Sequence, residues 1–483
     1  MKSKIVFVSG QFNILHPGHI RLLSYAKKLG NKLIVGVLSD KLSSQDAHIH
    51  EKLRYQNVKT ITWIDEVYLI KDSLKKAILK FKPDIVLKGN EHESYENDEE
   101  SIVKTYGGKL LFASGESTFS SFDLIKKELI STRFSKFSFP KNYIQRRKIK
   151  KKNIVNLINK FKNKKICVLG DFIIDKYIEC EALGMSAEDN CLVFKSLGET
   201  SYLGGAGIVA AHSATLGAKT KLITVVGSDI NIKETSKKLV KHGVSPDLIK
   251  DDTRKTTIKK RYINLNKSVM RISNLSQNYI SLKIQKQIIK KFKKIVKKID
   301  CLIFSDFNYG CLPNKMIEEI IDLCLKNNVW ISADCQTSSQ IGDIAKYKHV
   351  NLITPTEKEA RVATRNQDSG LISLCEELRN HTKVDNIILK LGIEGVLIHS
   401  SNKTKRTRYF NDRIPALNSN PTSVMGAGDC LLVGSSLSLI SGANIWEASY
   451  IGSISAALQV DRVGNIPLKF KVLKNELNEN FKI

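Results

Sequence analysis

Two series of short apolar runs, each run followed by an amphipathic stretch, constrain this fold more than any other feature of the sequence. The first series is KIVFVSG, KLIVGVLSD, DIVLKG and KLLFASG, with the helix-patterned HIRLLSYAKKLG after the first run. The second is KICVLGD, KLITVVG, CLIFSDF, VWISADC, NLITP, NIILKLG and GVLIHSS. Strand runs alternating with helical patterns predict α/β architecture, with parallel sheets flanked by helices on both faces. At 483 residues the chain is too long for one ordinary core. The expected organisation is a domain over 1–130, a basic linker over 131–163 and a larger domain over 164–483. The linker interrupts the rhythm with Ser, Phe, Pro and QRRKIKKK, while NIVNLINKF near its end has helical spacing and leads into the second domain. Within that domain CLVFKSLGETSYLGG and TTIKKRYINLNKSVMRIS alternate, which predicts a small side sheet able to act as a lid.

Composition narrows the function classes. Hydrophobic residues at 42% and charged residues at 26% are those of a globular protein. No apolar run approaches the roughly 18 residues that span a bilayer, and MKSKIVFVSG leads straight into a strand pattern, so a cytoplasmic chain without membrane association is expected. The nine cysteines form no C-x-x-C pair, which predicts reduced, mostly buried thiols and no zinc site. The formal charge of +29 raises nucleic acid as a partner. Lysines are spread along most amphipathic segments, however, and the one dense stretch, from Lys141 to Lys165, is almost without aromatics for base stacking. Solvated faces and a charged connector are the simpler reading.

Two short motifs carry chemistry. In the first, a strand ends at Gly10 and HPGH opens an amphipathic helix, so His16, Gly18 and His19 stand where helix N–H groups and the dipole attract phosphate. Two imidazoles there can stabilise charge building on an α-phosphate and its leaving pyrophosphate. A metal pair or plain surface polarity is an equal alternative for that motif alone. Ser120 and Ser121, ahead of DLIKKEL, suit either an anion site or a plain helix cap. In the second motif, Gly426, Ala427 and Gly428 leave the start of the helix CLLVGSSLSLI open to an anion, and Asp429 in its first turn can accept a hydroxyl proton, although for the motif alone a glycine-rich helix start capped by an aspartate without any chemistry is the simpler reading.

Beyond these motifs, GQFNILHPGHIRLLSYAKKLGNKLIVGVLSD resembles the opening of the cytidylyltransferase-like nucleotidyltransferases, whose signature is G-x-F-D-x-x-H-x-G-H. RYQNVKTITWIDEV, PDIVLKGNEHE and GESTFSSFDLI continue the likeness in order. It implies that Gly10, Phe12 and Gly18 shape the nucleotide site and that His16 and His19 handle the triphosphate. Lys28 then lies near the transferred phosphate, Asp40 and Arg54 belong to the nucleotide pocket, and Ser120 and Ser121 contact phosphate. Asn13 stands where the family carries aspartate.

GDFIIDKY, LGGAGIVAAHSATLGA, SDFNYG, NLITPTEKEA and VMGAGD occur in the order found in ribokinase-like carbohydrate kinases. This resemblance implies an α/β sandwich with a small β lid, ATP as phosphate donor, Mg²⁺, and Asp429 as base. Asp171 and Asp175 are then sugar ligands, Gly204 and Gly205 close over the sugar, Lys390 and Gly392 lie along the nucleotide, and Glu359 reaches Mg²⁺ through water. The chain departs from the family at Thr356-Glu357-Lys358-Glu359 in place of N-x-x-E, at Ile208 in place of asparagine, and at Ser423-Val424-Met425 before the glycine. Tyr309 and Gln336 stand where heptose kinases carry lysine.

The combination resembles the bifunctional heptose 7-phosphate kinase/heptose 1-phosphate adenylyltransferases with the domain order reversed. It implies sugar phosphates and nucleoside triphosphates as partners, ATP or CTP as nucleotidyl donor, and a nucleotide-activated sugar such as ADP-heptose as product; homodimerisation stays open. The competing readings are a polyol-phosphate cytidylyltransferase with an altered or inactive kinase domain, and a non-catalytic nucleotide-binding scaffold.

Overall fold

The structure, a computed structural model, describes residues 4–13, 15, 17–43, 49–89, 97–113, 137–264, 267–337, 341–400 and 411–480. The chain divides into two units, Met1–Ser135 with Arg365–Glu377, and Lys136–Thr364 with Leu378–Ile483.

The first unit is built on five parallel strands, β1 (Ile5–Gly10), β2 (Lys32–Leu38), β3 (Glu66–Ile70), β4 (Ile85–Gly89) and β5 (Lys109–Ala113), in the order β3-β2-β1-β4-β5. Phe7, Ile34, Ile70, Ile78, Val86 and Val103 form one core, and burying each such side chain stabilises by about 1.5–3 kcal/mol. The helix Leu74–Phe81 is capped by Ser73, whose hydroxyl accepts from the Lys76 N–H at 3.2 Å. In this order the connections reverse direction between β1 and β4, and the carboxyl ends of those strands open a crevice there.

The second unit contains β6 (Lys165–Met185), β7 (Leu192–Gly205), β8 (Lys219–Val226), β9 (Val244–Lys250), β10 (Thr257–Asn264), β11 (Lys267–Asn274), β12 (Cys301–Asp306), β13 (Trp330–Cys335), β14 (Leu352–Ile353), β15 (Asn386–Lys390), β16 (Val396–Ser400) and β17 (Asn411–Ile414). One long strand serves two sheets. The first seven residues of β6 pair in parallel with β8, and most of these also pair in parallel with β12. They belong to a large sheet that runs β9-β8-β6-β12-β13-β14-β15-β16-β17 and is parallel except at β16 and β17. Farther along, β6 pairs with β7 and β10, and β10 with β11, to make the small sheet. The α/β class and the side sheet expected from the alternating segments are both present.

The stretch set apart as a basic linker belongs to this second unit from Lys136 on. The helices Lys141–Arg146 and Lys151–Asn159 bury Tyr143, Ile144, Ile154, Leu157 and Ile158 in the second unit's core. The Tyr143 hydroxyl donates to the Trp446 carbonyl at 2.8 Å. Arg146 pairs with Asp412 at 2.7 Å, and Arg147 pairs with the same carboxylate while stacking 3.6 Å over the Trp446 ring. Two of the arginines that suggested a charged connector are thus anchors, because their apolar neighbours at helical spacing dock the whole segment. All nine cysteines are free thiols, eight buried and Cys191 exposed. Among the described residues no helix is long and apolar enough to cross a membrane.

Candidate active sites

In the first unit, β1 ends at Gly10 and the chain turns through Phe12, which is buried and holds a left-handed φ of +52°. Its ring lies 5.1 Å, centroid to centroid, from that of His19. His19, with Gly18, sits in the first turn of the helix Pro17–Lys27, beside the mouth of the crevice. His16, Ser120 and Ser121 lie outside the described residues. Lys28 follows the last residue of the same helix. At 1.5 Å rise per residue that puts it about 13 Å along the axis from His19, too far to share a phosphate with it. The likeness to the family gave Lys28 a chemical role, but the helix length carries it to the opposite end.

Arg54 also differs from expectation. Its side chain is fully buried, and its guanidinium donates to the carbonyls of Ile49, Gln11 and Leu38 and to Asp40 Oδ1, at 2.5–2.8 Å. Arg54 therefore has no face for a nucleotide. It clamps the loop after β1 to the end of β2. Asp40 is part of the same clamp: Oδ2 accepts the Glu51 N–H at 3.1 Å, and Glu51 accepts the Asp40 N–H in return. The hydrogen bond from Arg54, followed by that from the Glu51 N–H, holds the Asp40 carboxyl below the usual carboxylate range. A cation that motif reading passed over, Lys88 near the end of β4, lies by the crevice and bonds Asn97 and Glu99, each at 2.8 Å. Its only signal was a lysine closing the strand DIVLKG.

In the second unit the helix Ala427–Ile440 starts from Gly426, which has a φ of +72° and makes no side-chain cap. A Cβ at Gly426 would stand 2.5 Å from Asn465 Oδ1, so neither the backbone nor the space admits a larger residue. The first N–H groups of this helix are thus left without a side-chain acceptor, a ready anion site. Asp429, 6% exposed, lies in the first turn. Gln336 Nε2 donates to Asp429 Oδ1 at 3.2 Å and to Asp334 Oδ2 at 3.3 Å. Asp334 also receives Lys390 Nζ at 2.8 Å and the Thr354 hydroxyl at 3.0 Å. Lys390 closes β15 beside Gly428, and Gly392 begins a short turn two residues on. Asp334 was not among the expected site residues, since VWISADC reads only as a buried strand, and Gln336 reads only as a departure from the lysine of heptose kinases.

Glu359 accepts from the Thr337 and Thr356 N–H groups at 2.8 and 2.7 Å, and the Thr356 hydroxyl caps Glu359's own N–H. The T-E-K-E departure therefore keeps a capped helix start. Among the described residues no group of three or more His, Cys, Asp or Glu can cage a metal. With its oxygens already bonded to backbone, Glu359 fits a magnesium that keeps most of its water and is held chiefly by phosphate.

Burial first, then the charge of Asp334, pushes the Asp429 carboxyl up to about 7, while Lys390 pulls it down. Burial likewise raises Asp334, with Glu359 adding to it. Burial opposes the charge on Lys390, but Asp334, Glu359 and Asp429 together outweigh it and raise its pKa. Three carboxylates surround one lysine, an excess of negative charge that a divalent cation arriving with a nucleotide would offset.

On the acceptor side, Asp175 is 5% exposed, and its Oδ2 receives Asn465 Nδ2 at 3.0 Å. Asp175 Oδ1, Asn465 Oδ1 and Arg261 Nε are buried without hydrogen-bond partners, although Arg261 Nη2 approaches Asp175 at 3.8 Å. Orphaned buried polar atoms of both signs in one place suit a polar ligand. Gly204 lies against Asp175, and Gly205 leads into the helix Ala206–Thr215. Asp171 plays a different part. Its oxygens accept from the N–H groups of Phe307, Tyr309 and Cys311, at 2.8–3.3 Å, which shapes the 307–311 loop. Ile208 is fully buried in the core.

Residues 163–469, well over half the chain, match the family model described as pfkB family carbohydrate kinase. Residues 7–132 match the model described as Cytidylyltransferase-like. Among curated proteins the chain is similar to Bifunctional protein HldE of Aliarcobacter butzleri, 30% identical over 308 residues, which cover 63% of this chain and 62% of that protein. The match thus spans less than two thirds of the relative's length. Among solved structures it is similar to Arabidopsis thaliana ribokinase complexed with ribose and ATP, at TM-score 0.51 and 16% identity, over 65% of this chain and 98% of that one. It is also similar to Escherichia coli phosphofructokinase-2 in complex with potassium, at TM-score 0.53 and 12% identity, over 66% and 99%. At these identities the likeness shows the fold.

Proposed function

The chain belongs to the pfkB family of carbohydrate kinases through residues 163–469, and from that premise we propose a bifunctional enzyme: its second unit phosphorylates a sugar phosphate with ATP, and its first condenses a sugar 1-phosphate with a nucleoside triphosphate. The observation that carries the kinase half is Asp429, buried beside an uncapped helix start with a pKa in the neutral range. Such a carboxylate takes a hydroxyl proton at working pH, and the bare N–H groups hold the phosphoryl oxygens. Asp175 and Asn465 orient acceptor hydroxyls through their orphaned oxygens. Magnesium bound with the nucleotide would supply positive charge to the phosphates, with Glu359 holding it through water.

In the first unit, His19 at the helix start and His16 ahead of it stabilise the pyrophosphate leaving group, while Arg54, paired with Asp40, ties the loop before them to the end of β2. The Cytidylyltransferase-like match over 7–132 and the word bifunctional in the relative's name both support pairing the two activities. The product is a nucleotide-activated sugar, ADP-heptose or a related sugar for surface polysaccharide, made in the cytoplasm, with ATP or CTP as nucleotidyl donor. The order of units, transferase before kinase, is reversed relative to the bifunctional enzymes it resembles.

The full chain, assayed with heptose 7-phosphate and ATP for ADP formation and with heptose 1-phosphate and ATP or CTP for pyrophosphate, tests this directly. Turnover in both assays is expected. Nucleotide binding without turnover in either, across a panel of sugar phosphates, would replace the enzyme with a nucleotide-binding scaffold.

A further inference from the structure

Lys390 sits in an unusual position for a structural counter-ion. It closes β15, with its N–H donated to the Pro355 carbonyl at 2.8 Å, and its side chain is largely buried. It does not run outward. Nζ lies 3.2 Å from where a Cβ on Gly428 would stand, and Cδ and Cε lie 3.6 and 3.9 Å from the same point. The side chain therefore lies along the first turn of the helix Ala427–Ile440, in space that only a glycine at 428 leaves open. Its partner Asp334 is already held by the Thr354 hydroxyl and Gln336. Lys390 thus satisfies one carboxylate while its ammonium faces the same helix start as Asp429. The position of Gln336 reinforces this: its amide bridges Asp334 and Asp429 and brings no charge, which leaves Lys390 as the cation held against Asp334.

We propose that Lys390 is a catalytic residue of the kinase site, binding the phosphoryl group in transit together with the N–H groups of Ala427–Asp429. The inference rests on the kinase reading above. During transfer the acceptor oxygen forms a bond to the γ-phosphorus, and the bond from that phosphorus to the β–γ bridging oxygen breaks, its electron pair leaving on ADP. The hydroxyl proton passes to Asp429. Charge spreads over the three oxygens of the phosphoryl group in flight, and a fixed cation at that point stabilises the transition state more than the ground state. Asp334 holds Lys390 in place before the nucleotide arrives, a positioning role.

Two variants of the full chain test the assignment, Lys390→Met and the charge-balanced double variant Asp334→Asn/Lys390→Met, which leaves no carboxylate unpaired if the single variant folds poorly. The probes are ADP and AMP-PNP with magnesium, by calorimetry, and ATP turnover with heptose 7-phosphate. Loss of a charge-assisted contact to the γ-phosphoryl group predicts AMP-PNP weakened by about 10–100-fold in both variants. ADP affinity and the sugar KM stay within about threefold, and kcat falls by about 10²–10³-fold. Equal losses for ADP and AMP-PNP, or recovery of wild-type turnover in the double variant, would show that Lys390 serves only to neutralise Asp334. A wild-type chain that makes no ADP with any sugar phosphate would overturn the kinase reading itself, and this assignment with it.

Discussion

Asp429 is a base whose surroundings oppose its own charge, and that conflict has two measurable consequences. The first is kinetic. With its pKa at about 7, the kinase rate should fall on the acid side with an apparent pKa near that value. Asp334→Asn should move this limb to lower pH, since after burial the charge of Asp334 does most to raise it. A limb that stayed in place would remove Asp334 from the account. The second is thermodynamic. A carboxyl raised from 3.8 to about 7 holds its proton more tightly folded than unfolded, so stability drains as pH climbs between those values and the loss is complete above about 7. Asp429→Asn should therefore melt higher than wild type near pH 8, by roughly 2–4 °C per kcal/mol recovered, and equal to it near pH 4. Arg54 behaves in the opposite way: Arg54→Ala strands the carbonyls of Ile49, Gln11 and Leu38, and urea unfolding of the first unit should register a loss of about 1–3 kcal/mol. At this scale the sequence displays residue types and hides directions. His19 and Asp429 were legible because a strand, a glycine turn and a helix fix where a first-turn side chain stands. Arg54 was misjudged because an arginine in EKLRYQNVK looks the same pointing outward or inward, and Asp334 was missed because an aspartate inside a buried strand has no motif of its own.

Among the elements, β6 does most to assemble the kinase site. Its first third lies in the large sheet and the rest in the small one, so Asp171 and Asp175 stand where the two sheets diverge. Tyr177 of the same strand packs its ring 4.9 Å from Tyr202 of β7 and sets its hydroxyl against Met425 Sδ at 3.0 Å, which ties the small sheet to the loop before Gly426. A methyl at Gly204 would stand 2.5 Å from Asp175 Oδ2. Gly204→Ala should consequently displace that carboxylate and raise the sugar KM by about tenfold or more, with kcat much less affected; an unchanged KM would remove Asp175 from the acceptor site. The two strand series and the alternating side-sheet segments were legible because hydrophobic period is a property of short windows. The helices Lys141–Arg146 and Lys151–Asn159 were less so. Their lysines and arginines dominate the composition, and only the buried stripe of Tyr143, Ile154, Leu157 and Ile158 shows that they dock. Tyr143→Phe keeps that stripe, loses the bond to the Trp446 carbonyl, and should cost about 1 kcal/mol in a denaturant melt.

Each unit has its own sheet and core, and one proposed chemical step belongs to each. The charge of +29 played no part in that assignment. Some of the basic side chains are committed to ion pairs within the fold, as with Arg146 and Arg147 on Asp412 and Lys88 on Glu99. The central claim is that one chain performs two independent transfers. Its most direct test is to measure ADP formation from ATP and heptose 7-phosphate, and pyrophosphate release with heptose 1-phosphate, in His16→Ala and Asp429→Asn side by side. His16→Ala should abolish pyrophosphate release and leave phosphorylation at the wild-type rate, and Asp429→Asn should do the reverse. A folded variant of either kind that lost both activities, or neither, would contradict it.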